Sequence, residues 1–307
     1  MPITKSKKAI AYIALWSVII IWGIAPLFTK RFFEYYSPSA SVLHTSVLGA
    51  VFFFLISIKK LGKLNSTYFK VAVTTGIFYS AADILQKIGL NYTTPTRYAF
   101  LENLSCVIVP ILLFFLIKKK PSFLTVLASV ICLAGAFLLS FDKGAEGALG
   151  IGIGEILCAL AGLCYGVNIA VTGVYAKKLD ASLYLMIQMS VCTVISLSTV
   201  VLFNNITVDG SVIEAFRFTF KPDIFLAKCA ITLLSSSIGW LLRTWSMKYI
   251  SPTVVSVLMP LASVVTAISS VVIGSDTLSY ELIAGGALGF TAAILSELGD
   301  KKKENQG

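Results

Sequence analysis

The sequence is short of charge. Only 13% of its 307 residues are Asp, Glu, Lys or Arg, about half the share in an average soluble chain. It holds a single histidine, His44, which leaves little room for histidine-based metal or acid–base chemistry. Neither an HExxH pair nor a nucleophile with a histidine partner is evident. A Gly-rich phosphate-cradling loop is also missing, and with it the support for an ATP-driven pump. The six cysteines (Cys106, Cys132, Cys158, Cys164, Cys192, Cys229) fall in or beside apolar runs without paired metal-ligand spacing. They read as small buried apolar residues. The chain reads as a non-enzyme that needs no cofactor and no metal.

What the sequence has in abundance is apolar length. Hydrophobic residues make up 57% of it, and the mean hydropathy is +0.87. A helix needs about 20 apolar residues to cross a hydrocarbon core. Ten runs approach or exceed that length: 10–29, 38–58, 71–90, 96–117, 123–141, 149–176, 182–203, 224–247, 253–273 and 281–298. None shows the period-two alternation of a membrane strand. The expectation is an all-α membrane protein with ten transmembrane helices. The basic start "MPITKSKKAI" precedes a run that is too long for a signal peptide and lacks a small-residue cleavage site, so it reads as a retained first helix.

The net charge of +10 is explained by its distribution. With ten spans, loops alternate sides. Sixteen basic residues fall on the side of the N-terminus: Lys5, Lys7, Lys8, Lys59, Lys60, Lys63, Lys70, Lys118, Lys119, Lys120, Lys177, Lys178, Lys248, Lys301, Lys302 and Lys303. Seven fall on the other: Lys30, Arg31, Arg97, Lys143, Arg217, Lys221 and Lys228. The positive-inside rule then puts both termini in the cytoplasm. The basic balance reflects topology, and nucleic acid is not implicated as a partner.

The chain carries a faint copy of itself. An offset of 157 aligns "NYTTPT" (91–96) with "KYISPT" (248–253), and goes on to pair Leu101 with Leu258, Leu104 with Leu261 and Val107 with Val264. An offset of 143 sets "WGIA" (22–25) beside "YGVN" (165–168). The 14-residue difference matches the longer outer loop "NNITVDGSVIEAFRFTFKPD". The two halves, 1–148 and 149–307, then hold five helices each. Five is odd, so the second half enters the membrane from the opposite side. Two inverted five-helix repeats favour alternating access around a site at their interface.

The segments "WGIAPLFTKR", "NYTTPTRYAFLENLSCVIVP" and "KYISPTVVSVLMP", with the Gly-rich closing helix "IAGGALGFTAAIL", give the chain a resemblance to the drug/metabolite transporter superfamily. Within it, the chain is similar to the EamA-type ten-helix carriers over nearly its whole length. The resemblance implies a central cavity enclosed by eight helices, with the fifth and tenth peripheral, in a bacterial plasma membrane. It also leans toward export. His44 stands where family members often carry an Arg, and the family's Gly-Glu pairs are absent, with Asp276 in place of the second Glu.

At about 1.5 Å per residue, the ionisable residues of the runs can be given depths. His44, Glu102 and Glu155 lie about 9 Å and Asp83 about 10 Å below the outer face, and Asn103 adjoins Glu102. Charges in lipid are costly, so these residues should face the interior or a water-filled cavity. Asp83 and Lys87 are four apart on one helical face. Lys87 reads either as a cavity residue or as a local partner snorkelling to the interface. Glu155 reads either as a cavity acid or as a helix N-terminal charge. His44 reads either as a structural hydrogen-bonding residue or as a titrating one that keeps proton coupling open.

An inner set, Asn168, Gln188 and Arg243, recurs at mirrored depths; Arg243 is either part of a gate or a snorkelling residue. Trp22, Tyr79, Tyr165 and Trp240 are candidates to line a pocket that stacks on rings or cations. Tyr98 belongs with them. Pro26, Pro110 and Pro260 should kink their spans. Gly150-xxx-Gly154, Gly162-xxx-Gly166 and Gly285-xxx-Gly289 permit close helix approach, and the last offers a homodimer face.

The function these readings favour is a secondary carrier of a small polar or amphipathic metabolite, by alternating access and with proton coupling open. The outer set His44, Asp83, Lys87, Glu102 and Glu155 sums to −2 with His neutral. That leans toward a cationic or zwitterionic solute such as an amino acid or organic amine. The alternatives are an exchanger of phosphorylated metabolites or nucleotide sugars, which would want more basic residues in the cavity, and a channel.

Overall fold

Inside a bilayer every backbone N–H and C=O of a spanning segment must be bonded within the protein, which turns long apolar runs into helices. The computed structural model describes residues 5–118, 120–140, 152–203, 206–208, 211–213, 216–274 and 280–304. Its helices are α1 (Lys5–Phe32), α2 (Pro38–Ser57), α3 (Ser66–Tyr92), α4 (Pro95–Leu101), α5 (Ser105–Ile117), α6 (Phe123–Ser140) and α7 (Ile153–Tyr175). They continue with α8 (Ala181–Phe203), α9 (Pro222–Thr232), α10 (Trp240–Ser246), α11 (Pro252–Leu258), α12 (Leu261–Val272) and α13 (Tyr280–Glu304).

Seven stretches among the described residues are long and apolar enough to cross a membrane: α1, α2, α4–α5, α7, α8, α9–α10 and α11–α12. The remaining three expected spans are helices too. α3 has the length, at 27 residues, but Asp83, Gln86, Lys87 and Asn91 make its C-terminal half polar. α6 and α13 contain the shorter apolar stretches Phe123–Gly135 and Ile283–Ser296. The boundary expected between residues 148 and 149, Lys143, Gly150 and Asp276 lie outside the described residues. One detail departs from an all-α reading. A two-stranded antiparallel hairpin, β1 (Ile206–Val208) with β2 (Ser211–Ile213), occupies the long loop between α8 and α9. That loop is tied down where Arg217 donates to the carbonyls of Phe33 and Glu34, at 2.8 and 2.6 Å.

Helix starts follow a shared pattern in which Ser37, Thr94 and Ser251 each precede a proline. Each hydroxyl caps a backbone N–H, of Ala40, Arg97 and Val254 respectively. Pro38, Pro95 and Pro252 occupy the first helical position, where no N–H is needed. Two of these starts are the similar "TTPT" and "ISPT" segments. Both lead into seven-residue helices, α4 and α11, and both then break. The first breaks at a 3-10 turn, Glu102–Leu104, and the second at Met259–Pro260, before α5 and α12 resume.

The break near Pro260 is therefore where the proline predicts it. The one in the earlier span is not: Pro110 lies inside α5, and the interruption comes at Glu102–Leu104. Pro110 removes the hydrogen bond to the carbonyl of Cys106, four residues back. Ser129 on α6 supplies a replacement, its Oγ donating to Cys106 O at 2.9 Å. Between α9 and α10 the chain forms a π-helical turn, Leu233–Gly239.

α3 packs along α7 and α8, α2 along α8, α1 along α12, and α6 against α13. Close approach depends on small residues at the crossings. Gly162 of α7 lies against the backbone of Glu102. The expected homodimer face is partly used within the chain, because the carbonyl of Gly285 abuts Gly135 on α6. Large apolar side chains such as Ile13, Phe115, Phe123, Val201 and Val272 point outward, as suits an integral membrane protein whose solvent is hydrocarbon.

Candidate functional site

A cavity of about 140 Å3 lies between α1, α3, α4–α5, α7, α9–α10 and α11–α12. Four charged side chains line it: Asp83 and Lys87 from α3, Glu102 from the 3-10 turn, and Arg243 from α10. Lys87 Nζ donates to Asp83 Oδ1 at 2.5 Å, as the four-residue spacing requires. The other oxygen, Asp83 Oδ2, is buried with no hydrogen-bond partner. Lys87 is thus an ion-pair partner in the interior and does not snorkel.

Arg243 does not snorkel either. It is 1% exposed, with its guanidinium 4.3 Å from the centroid of Trp240 and 5.9 Å from that of Trp22. Its Nε and Nη2 have no hydrogen-bond partner. A buried, hydrogen-bond-poor guanidinium is expensive to maintain, and this one lines an open space.

Aromatic rings form the wall beside it. Trp22 and Trp240 are 5.3 Å apart, Tyr79 meets Trp240 edge-on at 4.8 Å, and Tyr165 lies 5.9 Å from Trp240. Trp22 is held in place by the π-helical turn. The extra residue of such a turn leaves carbonyls without helical partners, and Trp22 Nε1 donates to Ser235 O at 2.9 Å. Gln86 joins two elements: its Nε2 donates to Glu102 Oε2, and its Oε1 accepts from Tyr165 OH, both at 2.9 Å. Asn103 Nδ2 donates to Ser263 Oγ at 3.2 Å, which ties the 3-10 turn to α12.

Nine of the thirteen residues singled out from the sequence line this space: Trp22, Tyr79, Asp83, Lys87, Glu102, Asn103, Tyr165, Trp240 and Arg243. Four do not. Glu155 stands in the first turn of α7, where its Oε2 accepts from Gly152 N at 2.9 Å and its Oε1 from Thr93 Oγ1 at 2.5 Å. Arg97 lies 3.6 Å away. This is the helix N-terminal role. His44 is wedged between the rings of Tyr36 and Phe225, with Cys229 Sγ 3.6 Å from its Nε2.

Asn168 and Gln188 belong to a separate buried polar layer. Asn168 Nδ2 donates to Gln188 Oε1 at 2.9 Å and to Thr75 O at 3.2 Å. Tyr184 OH lies 2.6 Å from Gln188 Oε1, 2.7 Å from Thr75 Oγ1 and 2.6 Å from Thr172 Oγ1. This layer joins α3 to α7 and α8 on the side of the cavity away from Glu102.

With Glu155 elsewhere and Arg243 included, the charges lining the cavity balance: two acids, two bases. The net −2 expected from depth alone does not describe the cavity. The polar lining residues that were missed include a glutamine and several serines. Gln86 sits three residues from Asp83 on the same face, a signal that would have found it. Ser235, Ser236 and Ser263 carry no such signal, since small hydroxyls are common wherever membrane helices pack.

The family model of the EamA-like transporter family matches residues 9–141 and 152–298. A curated protein of Archaeoglobus fulgidus, named an uncharacterized transporter, is 23% identical over 292 residues, covering 95% of this chain and 87% of that one. A solved structure, titled only as the crystal structure of a protein, matches with a TM-score of 0.73 at 16% identity, over 96% of this chain and 99% of that one. At that identity the likeness concerns the fold alone.

Proposed function

The chain belongs to the EamA-like transporter family, and from that premise we propose that it is a secondary carrier of a small zwitterionic metabolite such as an amino acid. The observation that carries the reading is Arg243. Its free Nε and Nη2 suit a carboxylate, which a guanidinium engages bidentately. Asp83 Oδ2 is free for an ammonium group, and Glu102 lines the same space. The aromatic wall takes the apolar part of the solute. A simple organic cation would leave Arg243 unanswered, and a phosphorylated solute would face Asp83 and Glu102.

In this reading the chain crosses the plasma membrane ten times, with α3, α6 and α13 completing the set and both termini in the cytoplasm. Residues 1–148 and 149–307 are two inverted repeats. The two matched blocks, 9–141 and 152–298, and the parallel breaks after α4 and α11 support that division. The polar layer of Thr75, Asn168, Thr172, Tyr184 and Gln188 closes the cytoplasmic side while the cavity faces outward. Exchange of this closure with its mirror image gives alternating access. Transport runs in the direction of export, with Glu102 as the group that exchanges a proton.

The test is counterflow in proteoliposomes loaded with single amino acids, organic amines or sugar phosphates, scored for saturable uptake of the labelled solute. The reading expects an amino acid to serve, and expects Arg243→Met to abolish its uptake. Replacing one partner of a buried hydrogen-bonded charge pair costs about 2–5 kcal/mol, so affinity should fall by about 30-fold or more. Uptake of an amine lacking a carboxylate, unaffected by Arg243→Met, overturns the zwitterion assignment. Non-saturable flux without counter-solute stimulation overturns the carrier in favour of a channel.

A further inference from the structure

The charged side chains buried among the described residues are Asp83, Lys87, Arg97, Glu155, Lys228 and Arg243. Asp83 is paired with Lys87 and Arg97 with Glu155, and Arg243 shares the cavity with Glu102. Lys228 is the odd one out. It is 3% exposed, on α9 about 9 Å from the helix start, and no carboxylate lies within ion-pair distance of it among the described residues. Its Nζ donates to Ser41 Oγ at 2.7 Å and stands 5.4 Å from the centroid of the Phe32 ring. An ammonium has three N–H groups, and Ser41 takes one.

The groups around Lys228 are able to donate hydrogen bonds as well as accept them. Tyr36, in the same apolar cluster as Phe32, is 2% exposed, and its buried hydroxyl has no hydrogen-bond partner. The Tyr36 ring meets His44 edge-on at 5.6 Å. His44 reaches back to α9, with its Nε2 3.6 Å from the sulfur of Cys229, the residue next to Lys228. None of Tyr36, Ser41, His44 or Lys228 lines the central cavity. A buried cation and an unanswered hydroxyl are each costly, and both costs are relieved by one acceptor of negative charge.

We propose that Lys228, Tyr36, Ser41 and His44 form a binding site for a small monovalent anion of halide size, between α1, α2 and α9. The chemistry favours a monatomic ion. Lysine is a compact point charge with rotatable donors and lacks the planar fork that matches carboxylate or phosphate oxygens. The aromatic rings of Phe32, Tyr36 and Phe225 supply a dry wall suited to a weakly hydrated ion. Such an ion neutralises the Lys228 charge, which no carboxylate within ion-pair distance answers among the described residues.

The test uses the purified full-length protein without any transported solute, so its outcome does not depend on the carrier reading. Thermal unfolding is followed as gluconate is replaced by chloride at constant ionic strength, which holds general screening fixed. A ligand that binds only the folded state raises the midpoint saturably, and the rise expected here is about 2–4 °C. Lys228→Met, similar in length and apolar, should fold and lose the rise. Tyr36→Phe removes only the hydroxyl and should raise the half-saturating chloride concentration by about tenfold. A wild-type protein equally stable in chloride and gluconate overturns the proposal, as does a full chloride response in Lys228→Met. Where Lys228→Met does not purify folded, an unchanged half-saturating concentration in Tyr36→Phe overturns it instead.

Discussion

Gly162 offers a way to move the cavity wall without touching any cavity side chain. A Cβ built at this position would lie 2.7 Å from the carbonyl oxygen of Glu102, 3.0 Å from its carbonyl carbon and 3.0 Å from its Cα. All three are backbone atoms, so no rotamer change relieves the contact. The 3-10 turn Glu102–Leu104 must retreat from α7 by about 0.5 Å to restore ordinary van der Waals spacing. Overpacking of this kind costs about 1–3 kcal/mol. Replacing a mid-helix glycine by alanine returns up to about 1 kcal/mol of helix propensity. Gly162→Ala should therefore lose about 0–2 kcal/mol of stability, a small effect in thermal unfolding.

Function should suffer more than stability. The displaced turn carries Glu102, whose carboxylate accepts from Gln86 at 2.9 Å, and Asn103, bonded to Ser263 at 3.2 Å. Misplacement of a functional group by about 1 Å can cost about a hundredfold in rate, so half that shift is expected to slow transport by about tenfold. Gly289→Ala is the control, because a Cβ there meets nothing within 4 Å. The assays are thermal unfolding of both variants and initial uptake rates in proteoliposomes. Wild-type uptake by Gly162→Ala would refute the link between the turn's placement and transport. Equal damage from Gly289→Ala would show that contact with Glu102 is not the cause.

The proposed mechanism and topology make three further predictions. Glu102→Gln should abolish the response of uptake to a pH gradient while leaving solute exchange largely intact, because Glu102 has Gln86 and no basic residue as its bonded partner; Asp83→Asn should weaken solute binding in both assays, since its free oxygen is the proposed anchor. Transport by Glu102→Gln that still follows the gradient moves the proton role elsewhere. Reporter fusions after Lys120 and Lys303 should report the cytoplasm and one after Gly144 the outside; an outside signal at Lys303 removes the ten-span topology.

Rise per residue converts sequence position into distance along a helix, and this made one grouping legible. Asp83 and Glu102 were assigned one level from runs of apolar residues alone, and both line one cavity. Facing was legible only where two residues share a helix, as with Asp83 and Lys87. Glu155 was expected at the level of Glu102, yet it sits at a helix start where Gly152 and Thr93 satisfy it. The helix N-terminal alternative read from the sequence is the one found, because the N-cap of α7, Gly152, lies three residues upstream of Glu155; the apolar run expected from 149 left the choice open. His44 was expected at the same level but is packed against Tyr36, Phe225 and Cys229.

The breaks were only half legible, for a reason that bears on how the site is built. A proline announces lost hydrogen bonds but not whether a neighbour restores them. At Pro110 the hydroxyl of Ser129 does so, and α5 stays continuous. At Glu102–Leu104 there is no proline, and the turn exists because Gly162 lets the chain come close enough to α7 to settle there. The π-helical turn at Leu233–Gly239 follows the same logic, with Trp22 answering the Ser235 carbonyl. In both cases the irregular backbone is stabilised by a residue on another helix, distant in sequence. Local propensity therefore could not locate them, whereas their positions at the cavity are what non-helical backbone in a membrane requires.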